Sequence, residues 1–432
     1  MPSIWTTTAT HKPRPPLAGD RTADVLIIGG GMAGILTAHT LTEAGLRCIV
    51  VEAKAVGGGT TGNTTAKITA QHGLIYADLI RRFGPETARQ YYEANTTAIH
   101  RYRTLAEQFP CDLETKTAHI YATDDRRKLD READTYHKLG IPGRFVESPP
   151  LPIPTVGALA IENQAQFHPL KLLYALADGL EVYEHTFVRK IKGRTAHTAQ
   201  GKITARHIIL ATHYPLVNIP GLYAVKLYQH RSYVLALEGA PQPDGMYLDE
   251  RKTGLSFRTY GDLLFVGGGS HRTGKSGGGY AEPEAFAAKT YPDARVKHRW
   301  ATQDCMSLDS VPYIGRHQAG AGHLYVASGF NKWGMTGSMA AAGVIADLLV
   351  HGESAYKALY NPRRNILSCQ LFANLGTAAA HLLSLGGPRC THMGCKLHKN
   401  TTEGSWDCAC HGSRFEEGGR LICNPAKRRL RL

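Results

Sequence analysis

The chain shows no secretory leader: its start, MPSIWTTTATHKPRPP, has neither an apolar h-region nor a twin-Arg pair. The expected location is therefore the cytoplasm. No internal repeat is evident, which excludes a fibrous array. Charged residues make up only 20% of the 432 and hydrophobic residues 43%. That composition excludes a mainly disordered chain and a polytopic membrane protein, and the length fits two or three domains. Acidic residues are the minority, 36 against 50 Lys+Arg, for a formal charge of +14. Such a balance favours an acidic redox protein, a phosphorylated cofactor or a membrane surface as partner. Nucleic acid is not expected, because the excess is scattered. The one tight basic run, Lys427-Arg428-Arg429-Leu430-Arg431, reads as a solvated end.

Cysteine is sparse over most of the chain, with Cys48, Cys111, Cys305 and Cys369 widely spaced. Five more, Cys390, Cys395, Cys408, Cys410 and Cys423, fall in the last 43 residues. An extracellular disulfide framework would spread more evenly, so the dense cluster reads as metal binding.

Residues 24–29 (DVLIIG) form an apolar run ending in glycine, 32–45 read as a helix, and 47–52 as a second strand, giving a βαβ unit. Helices are expected over 85–109, 125–139, 169–180 and 337–350, a loop over 140–154, and buried strands at 207–211 and 323–328. Between about 223 and 300 shorter strand patterns suggest a sheet in a different domain. Residues 366–385 carry no formal charge and have the length of a membrane span, but Gln370, Asn374, Gly376, Thr377 and His381 interrupt them. A helix docked on the protein and linking two modules is expected, with an interfacial anchor as the alternative.

Gly29-Gly30-Gly31-Met32-Ala33-Gly34 fits G-x-G-x-x-G between a strand and a helix. The glycines allow the tight turn, the approach of a pyrophosphate and close helix packing, and the helix N-terminus offers N–H groups to phosphate. Glu52, ending the second strand, can accept bonds from ribose hydroxyls. The pattern fits FAD or NAD. A second Gly/Thr-rich loop, VGGGTTGNTTAK (56–67), can wrap the rest of a large dinucleotide, with Lys67 adding a charge near its redox ring. The segment Gly269–Ser276 also satisfies a phosphate-loop pattern, but Gly277-Gly278-Gly279 oppose the helix that such a loop needs, so a substrate-domain loop is expected.

DVLIIGGGMAGILTAHTL with Glu52, HIILATHYP (207–215), DLLFVGGGS (262–270), DSVPYIG (309–315) and ASGFNKWGMTGS (327–338) together resemble the D-amino-acid oxidase-like (DAO) superfamily, which includes sarcosine and glycine oxidases. The resemblance covers about 20–350. It implies an α/β fold with a Rossmann-like FAD-binding domain and a β-rich substrate domain, as in the DAO and glutathione-reductase-like folds. Expected FAD-binding residues are Gly29, Gly31, Met32, Ala33, Gly34, Glu52, Ala53, Lys54, Gly59, Thr60, Thr61, Thr65, Lys67, Gly329, Phe330, Lys332, Gly334, Met335 and Thr336. Lys67, Arg258, Tyr260 and Lys332 are the catalytic candidates, Arg258 to hold a substrate carboxylate. Tyr228 and His72 are candidates to line the pocket.

Near the end, Cys390-Thr391-His392 and Cys408-Ala409-Cys410-His411 offer two C-to-H pairs, able to hold zinc or a [2Fe–2S] cluster. The surrounding CTHMGC and CACHGSRF closely resemble the two halves of the Rieske signature. That resemblance implies Cys390 and Cys408 on one iron, His392 and His411 on the other, and a Cys395–Cys410 disulfide bracing the loops. It makes Ser413 a donor to the cluster sulfurs, while Phe415 stands where many high-potential members carry Tyr. The base sheet of a full Rieske domain has no counterpart before Cys390, so only a small all-β cluster-binding subdomain is expected, docked on the flavoprotein body. Fused DAO-like and Rieske proteins resemble the chain over its whole length.

The expected segments are 1–110, 155–222 and 301–352 for FAD, 111–154 and 223–300 for substrate, 353–385 as linker helix and 386–432 for the cluster. The expected activity is dehydrogenation of a small amine or amino acid, with electrons passing from FAD to the cluster and on to a redox protein or quinone. The reverse current, or a carrier without substrate, is the alternative. Membrane association ranks below a docked helix.

Overall fold

The computed structural model describes residues 2–251, 253–317 and 322–431. A first sheet runs in the order Tyr313–Arg316, Leu324–Ser328, Lys202–Leu210, Arg21–Ile28, Cys48–Val51 and Glu181–Tyr183. All pairs but the first are parallel. Cys48–Val51 is buried throughout, as expected of a strand covered on both faces. The helix Met32–Glu43 follows the first strand and packs against the helix Gly334–Val350, which is built from small residues that permit close approach.

A second, mainly antiparallel sheet runs Arg295–Met306, Tyr228–Glu238, Leu263–Arg272, Ser256–Tyr260, Met246–Asp249, Glu114–Ala122, Gly157–Gln166 and Lys67–Ile68. Two sequence expectations shift here. The stretch 140–154 is not all loop, because Gly143–Val146 pairs with Gly157–Gln166. Strands 157–166 and 301–306 lie in this second sheet rather than in the dinucleotide-binding layer to which their segments were assigned. Both corrections come from long-range pairing, which local composition does not reveal.

The N-terminus is structural. Trp5, in the short helix Ile4–Thr8, is fully buried, and its indole donates to the Thr64 carbonyl at 2.7 Å. The Ser3 hydroxyl bonds to the Gly62 carbonyl, and Trp300 donates to the Asn63 carbonyl at 3.0 Å. These three bonds clamp the second Gly/Thr-rich loop from outside.

The C-terminal module is a four-stranded antiparallel sheet, Leu397–Asn400, Ser405–Cys408, Arg414–Glu416 and Leu421–Cys423. Its own core is Leu397, Phe415, Ala426, Leu430 and four buried cysteines, too little for independent stability. It is docked on the second sheet, as the short sequence anticipated. A charged network holds it there: Arg231 pairs with Glu403 (Nε–Oε2 3.0 Å), and Arg414 pairs with Glu403 at 3.1 Å and Asp407 at 2.9 Å. Burial alone would raise the Glu403 carboxyl, but Arg231 and Arg414 hold it below the usual carboxylate range. Glu403→Gln leaves Arg231 buried without its anion, so a loss of about 3–5 kcal/mol is expected, read as a lower thermal midpoint.

Candidate functional site

The dinucleotide end follows from close backbone approaches. Gly29 has φ +117°, and a Cβ there would lie 2.3 Å from the Ala211 carbonyl oxygen. A Cβ on Gly34 would lie 1.9 Å from the Gly29 oxygen, so helix and turn pack only because both are glycine. Gly31 caps the helix with no side-chain bond, leaving its first turn open to an anion. The Met32 N–H donates to Thr61 Oγ1 at 3.0 Å, joining this helix to the second loop. Glu52 accepts from the Gly30 and Lys54 N–H groups, both at 2.8 Å, and burial raises its pKa. Ala53, Lys54 and Gly59 lie exposed beside this edge. This cradle fits the pyrophosphate and ribose of a dinucleotide.

A cavity of about 680 Å³ lies where the second sheet meets the 64–79 segment and the 331–335 turn. Of the residues expected from sequence, Thr65, Lys67, Lys332 and Met335 line it, with His72 and Tyr228. Lys67 donates to the Tyr247 carbonyl at 3.0 Å; burial, then Arg258, lowers its pKa to about 7. Lys332, at φ +71°, donates to the Ser270 hydroxyl. His72 stacks on Trp333 at 4.6 Å and bonds to Tyr91 (2.7 Å), the Thr69 carbonyl (2.7 Å) and Thr336 (3.0 Å). Burial drops its pKa to about 3, so the ring is neutral. Gly329 turns with φ +75°, and Phe330 packs against Gly337 in the helix that starts at Gly334.

Arg258 and Tyr260 are not in the cavity wall. Arg258 is fully buried and donates to the carbonyls of Thr65 (2.6 Å), Ala66 (3.0 Å) and Thr259 (3.1 Å). Its guanidinium braces the loop from behind. Tyr260 donates to Asp112 at 2.7 Å and packs edge-on against Trp5. Asp304, which sequence reading passed over, does line the cavity. Burial raises its pKa to about 6 against the pull of Lys332 and Arg231. It is partly accessible, and its open side is the cavity.

In the C-terminal module two similar loops face each other. The Gly394 N–H closes onto the Cys390 carbonyl and the Gly412 N–H onto that of Cys408, both at 2.9 Å. Cys390 and Cys408 are buried, and the His392 and His411 rings lie 4.9 Å apart. Each imidazole spends its Nε2 on the body: His392 on the Asn218 side chain (3.1 Å), His411 on the Ala224 carbonyl (2.8 Å). Each Nδ1 is buried with no hydrogen-bond partner. Two orphaned imidazole nitrogens and two buried thiols, one of each on either of the facing loops, are a donor set suited to a Cys₂His₂ cluster. The Ser413 hydroxyl accepts from the Ala426 N–H at 3.0 Å and lowers the pKa of the Cys390 thiol, while Phe415 is fully buried and offers no hydroxyl. The Cys395–Cys410 disulfide is not formed. Cys395 and Cys410 are separate thiols in this structure, their Sγ atoms and that of Cys408 grouped within 4.8 Å of one another.

Cavity and cluster loops use opposite faces of the same strands. Successive strand side chains alternate between faces. Tyr228, His230 and Ser232 face the cavity, as do Thr302 and Asp304. Gln229 and Gln303 between them point the other way, donating to the carbonyls of His411 (2.7 Å) and Gly412 (2.9 Å). The Gln303 amide also donates to Gln229 at 2.6 Å. His213 Nε2 lies 3.1 Å from Gln229, its Nδ1 3.5 Å from Thr60, and Thr60 donates to the Gln303 carbonyl at 2.9 Å. A polar chain thus links the second Gly/Thr-rich loop to a cluster-loop backbone. The Gly269–Ser276 loop, expected to belong to the substrate domain, completes the dock: a Cβ on Gly274 would lie 2.3 Å from the Ala409 nitrogen, and Arg272 donates to the Ala409 carbonyl at 2.9 Å.

The model of the family described as FAD dependent oxidoreductase (DAO) matches residues 24–348, and that of the Rieske [2Fe-2S] domain matches 383–432. The chain belongs to the DAO family of FAD-dependent oxidoreductases. A protein of Bacillus subtilis (strain 168) named as a Rieske 2Fe-2S iron-sulfur protein, YhfW, is 34% identical over 99% of this chain and 97% of its own length. The gamma-glutamylputrescine oxidoreductase of Escherichia coli (strain K12) is 23% identical over 79% of this chain and 86% of its own. Glycine oxidase from Geobacillus kaustophilus superimposes with a TM-score of 0.67 at 21% identity, covering 80% of this chain and all of that one. This oxidoreductase therefore carries FAD and a Rieske [2Fe–2S] cluster, which agrees with the cradle and the orphaned imidazole nitrogens.

Proposed function

We propose that the protein dehydrogenates a small amine or amino-acid-like substrate in the 680 Å³ cavity and passes single electrons through its Rieske cluster to an external redox protein or quinone. The observation that carries this reading is the shared sheet, with the cavity on one face and the cluster loops on the other. The same two strands bound both sites, so the two centres need no domain movement to communicate. Bound FAD supplies a two-electron hydride acceptor and the cluster a one-electron carrier.

In this reading Gly29, Gly31, Ala33, Gly34 and Glu52 hold the dinucleotide, and Cys390, His392, Cys408 and His411 hold the iron. Asp304 holds the substrate ammonium and takes its proton, since a carboxyl of pKa about 6 is largely ionised at neutral pH. Lys332 sets the positive side of the pocket and suits a substrate carboxylate, the role that Arg258 is too buried to fill, while Lys67, its pKa lowered to about 7, is about half charged at neutral pH. The name of the Escherichia coli relative, which specifies a putrescine conjugate, supports an amine.

The test mixes oxygen-free holoprotein with a panel of amines and amino acids. Flavin bleaching followed by growth of a Rieske EPR signal with mean g below 2 is the expected result. If no compound bleaches the flavin, while a chemical donor reduces the cluster first and the flavin second, the reading fails and the current runs the other way.

A further inference from the structure

The helix Cys369–Leu383 is inside out. The side it turns to the protein carries Leu371, Asn374 and Thr377. Asn374 donates to the Val225 carbonyl at 3.0 Å and accepts from Arg272 at 2.9 Å, and His381 meets His398 at 3.1 Å. The outer side is apolar: Phe372 is 65% exposed, Leu375 43%, Leu382 43% and Leu383 80%. Leu367 and Leu385, just beyond the ends, are 73% and 87% exposed. Positions 372, 375, 379, 382 and 383 form one stripe at helical spacing. Burying polar groups and exposing Leu and Phe is the reverse of what a water-facing helix does, so this face has a non-aqueous neighbour.

The charge around the stripe identifies that neighbour. Residues 354–402 contain six Lys or Arg and no Asp or Glu; Lys357, Arg364 and Lys399 pair with Glu353, Asp309 and Glu417, and the other three are Arg363, Arg389 and Lys396. Arg389 and Lys396 wrap the C-terminal end, donating to the carbonyls of Leu382 (3.1 Å) and Leu385 (3.2 Å). Thr391 bonds to the Arg428 carbonyl at 2.9 Å, which brings the exposed Lys427, Arg428 and Arg429 beside the cluster loop that carries the exposed Met393. An apolar stripe rimmed by cations matches acyl chains beneath anionic headgroups. A second copy of the chain would set the same cations against each other. Among the described residues no helix is long and apolar enough to cross a membrane, and this one, 15 residues and roughly 22 Å, would lie along it.

We infer that the outer face of Cys369–Leu383, with the basic tail, docks the protein onto an anionic phospholipid surface, cluster module toward the lipid. This goes beyond the proposed substrate chemistry and does not depend on it.

The test co-sediments the holoprotein with vesicles of equal parts phosphatidylglycerol and phosphatidylcholine, and with phosphatidylcholine alone. The protein should pellet with the first, stay in solution with the second, and be released by half-molar salt. Phe372→Ser/Leu382→Ser/Leu383→Ser should bind at least about tenfold more weakly, with unchanged flavin and cluster absorption. Lys427→Glu/Arg428→Glu/Arg429→Glu should also lose binding without touching the helix. Failure of the wild type to pellet, equal pelleting with both vesicles, or unchanged binding by the triple-serine variant would overturn the inference. So would a wild-type dimer in solution that the triple-serine variant converts to monomer, since a second copy would then cover the face.

Discussion

Asp304→Asn is expected to lower kcat/KM for an amine substrate by about 10²-fold or more, the usual worth of a positioned proton acceptor. The same variant should lose the rising limb of the pH–rate profile near pH 6, where burial places the Asp304 carboxyl. Burial raises the carboxyl while Lys332 and Arg231 pull it down, and His230 lies opposite it in the sheet. Stability should move the opposite way. A carboxyl whose folded pKa is raised favours the folded state most below its unfolded pKa of 3.8, and that contribution is lost as pH rises through about 6. Asparagine carries no charge to desolvate. The variant should therefore melt at a higher temperature than the wild type above pH 6, and at about the same temperature near pH 3. Equal loss of activity and stability would indicate a structural carboxylate instead.

Gly274→Val is expected to separate the two redox halves. The added side chain meets backbone on the opposing loop, 2.3 Å from the Ala409 nitrogen and 2.6 Å from the Cys408 carbonyl carbon, so no rotamer can yield. It also forces a branched residue into φ +74°. Overpacking and left-handed strain together amount to about 3 kcal/mol, or roughly a hundredfold in the docking equilibrium constant. Rapid-mixing optics should show the flavin bleaching at the wild-type rate. The cluster signal, appearing with unchanged g values, should follow roughly a hundredfold more slowly. An unchanged rate would mean that electrons do not pass through this contact.

Much of the chemistry was legible in the sequence because it rests on short segments. Gly29–Gly34 with Glu52, and the two Cys-His pairs, lie in short segments, and the structure brings Glu52 onto the glycine turn and the two histidine rings together. Arg258 shows the limit. Its strand was read correctly, yet which face it occupies depends on register with strands far away in sequence, and it turned to the loop rather than the pocket. Asp304, Gln229, Gln303 and His213 went unnoticed for the same reason. Strand alternation would separate Gln229 from Tyr228 and His230, but only once the partner of each face is known. Trp5 was read only as part of the N-terminal stretch, although the buried clamp it makes is set by contacts with residues about sixty positions away. The linker helix was expected to dock; that it docks by its polar side is invisible until Asn374 is seen paired with Arg272 and Val225.

The fit of Gly274 against Ala409 and of Gly412 against Gln229 means that the cluster module is no interchangeable cassette. A chimera receiving a foreign Rieske segment from residue 386 onward would also have to receive that donor's counterparts of the 269–279 loop, Gln229, Arg231 and Gln303 as one graft. The two halves of the chain must therefore vary together across this seam, each substitution on one side restricting what the other can accept.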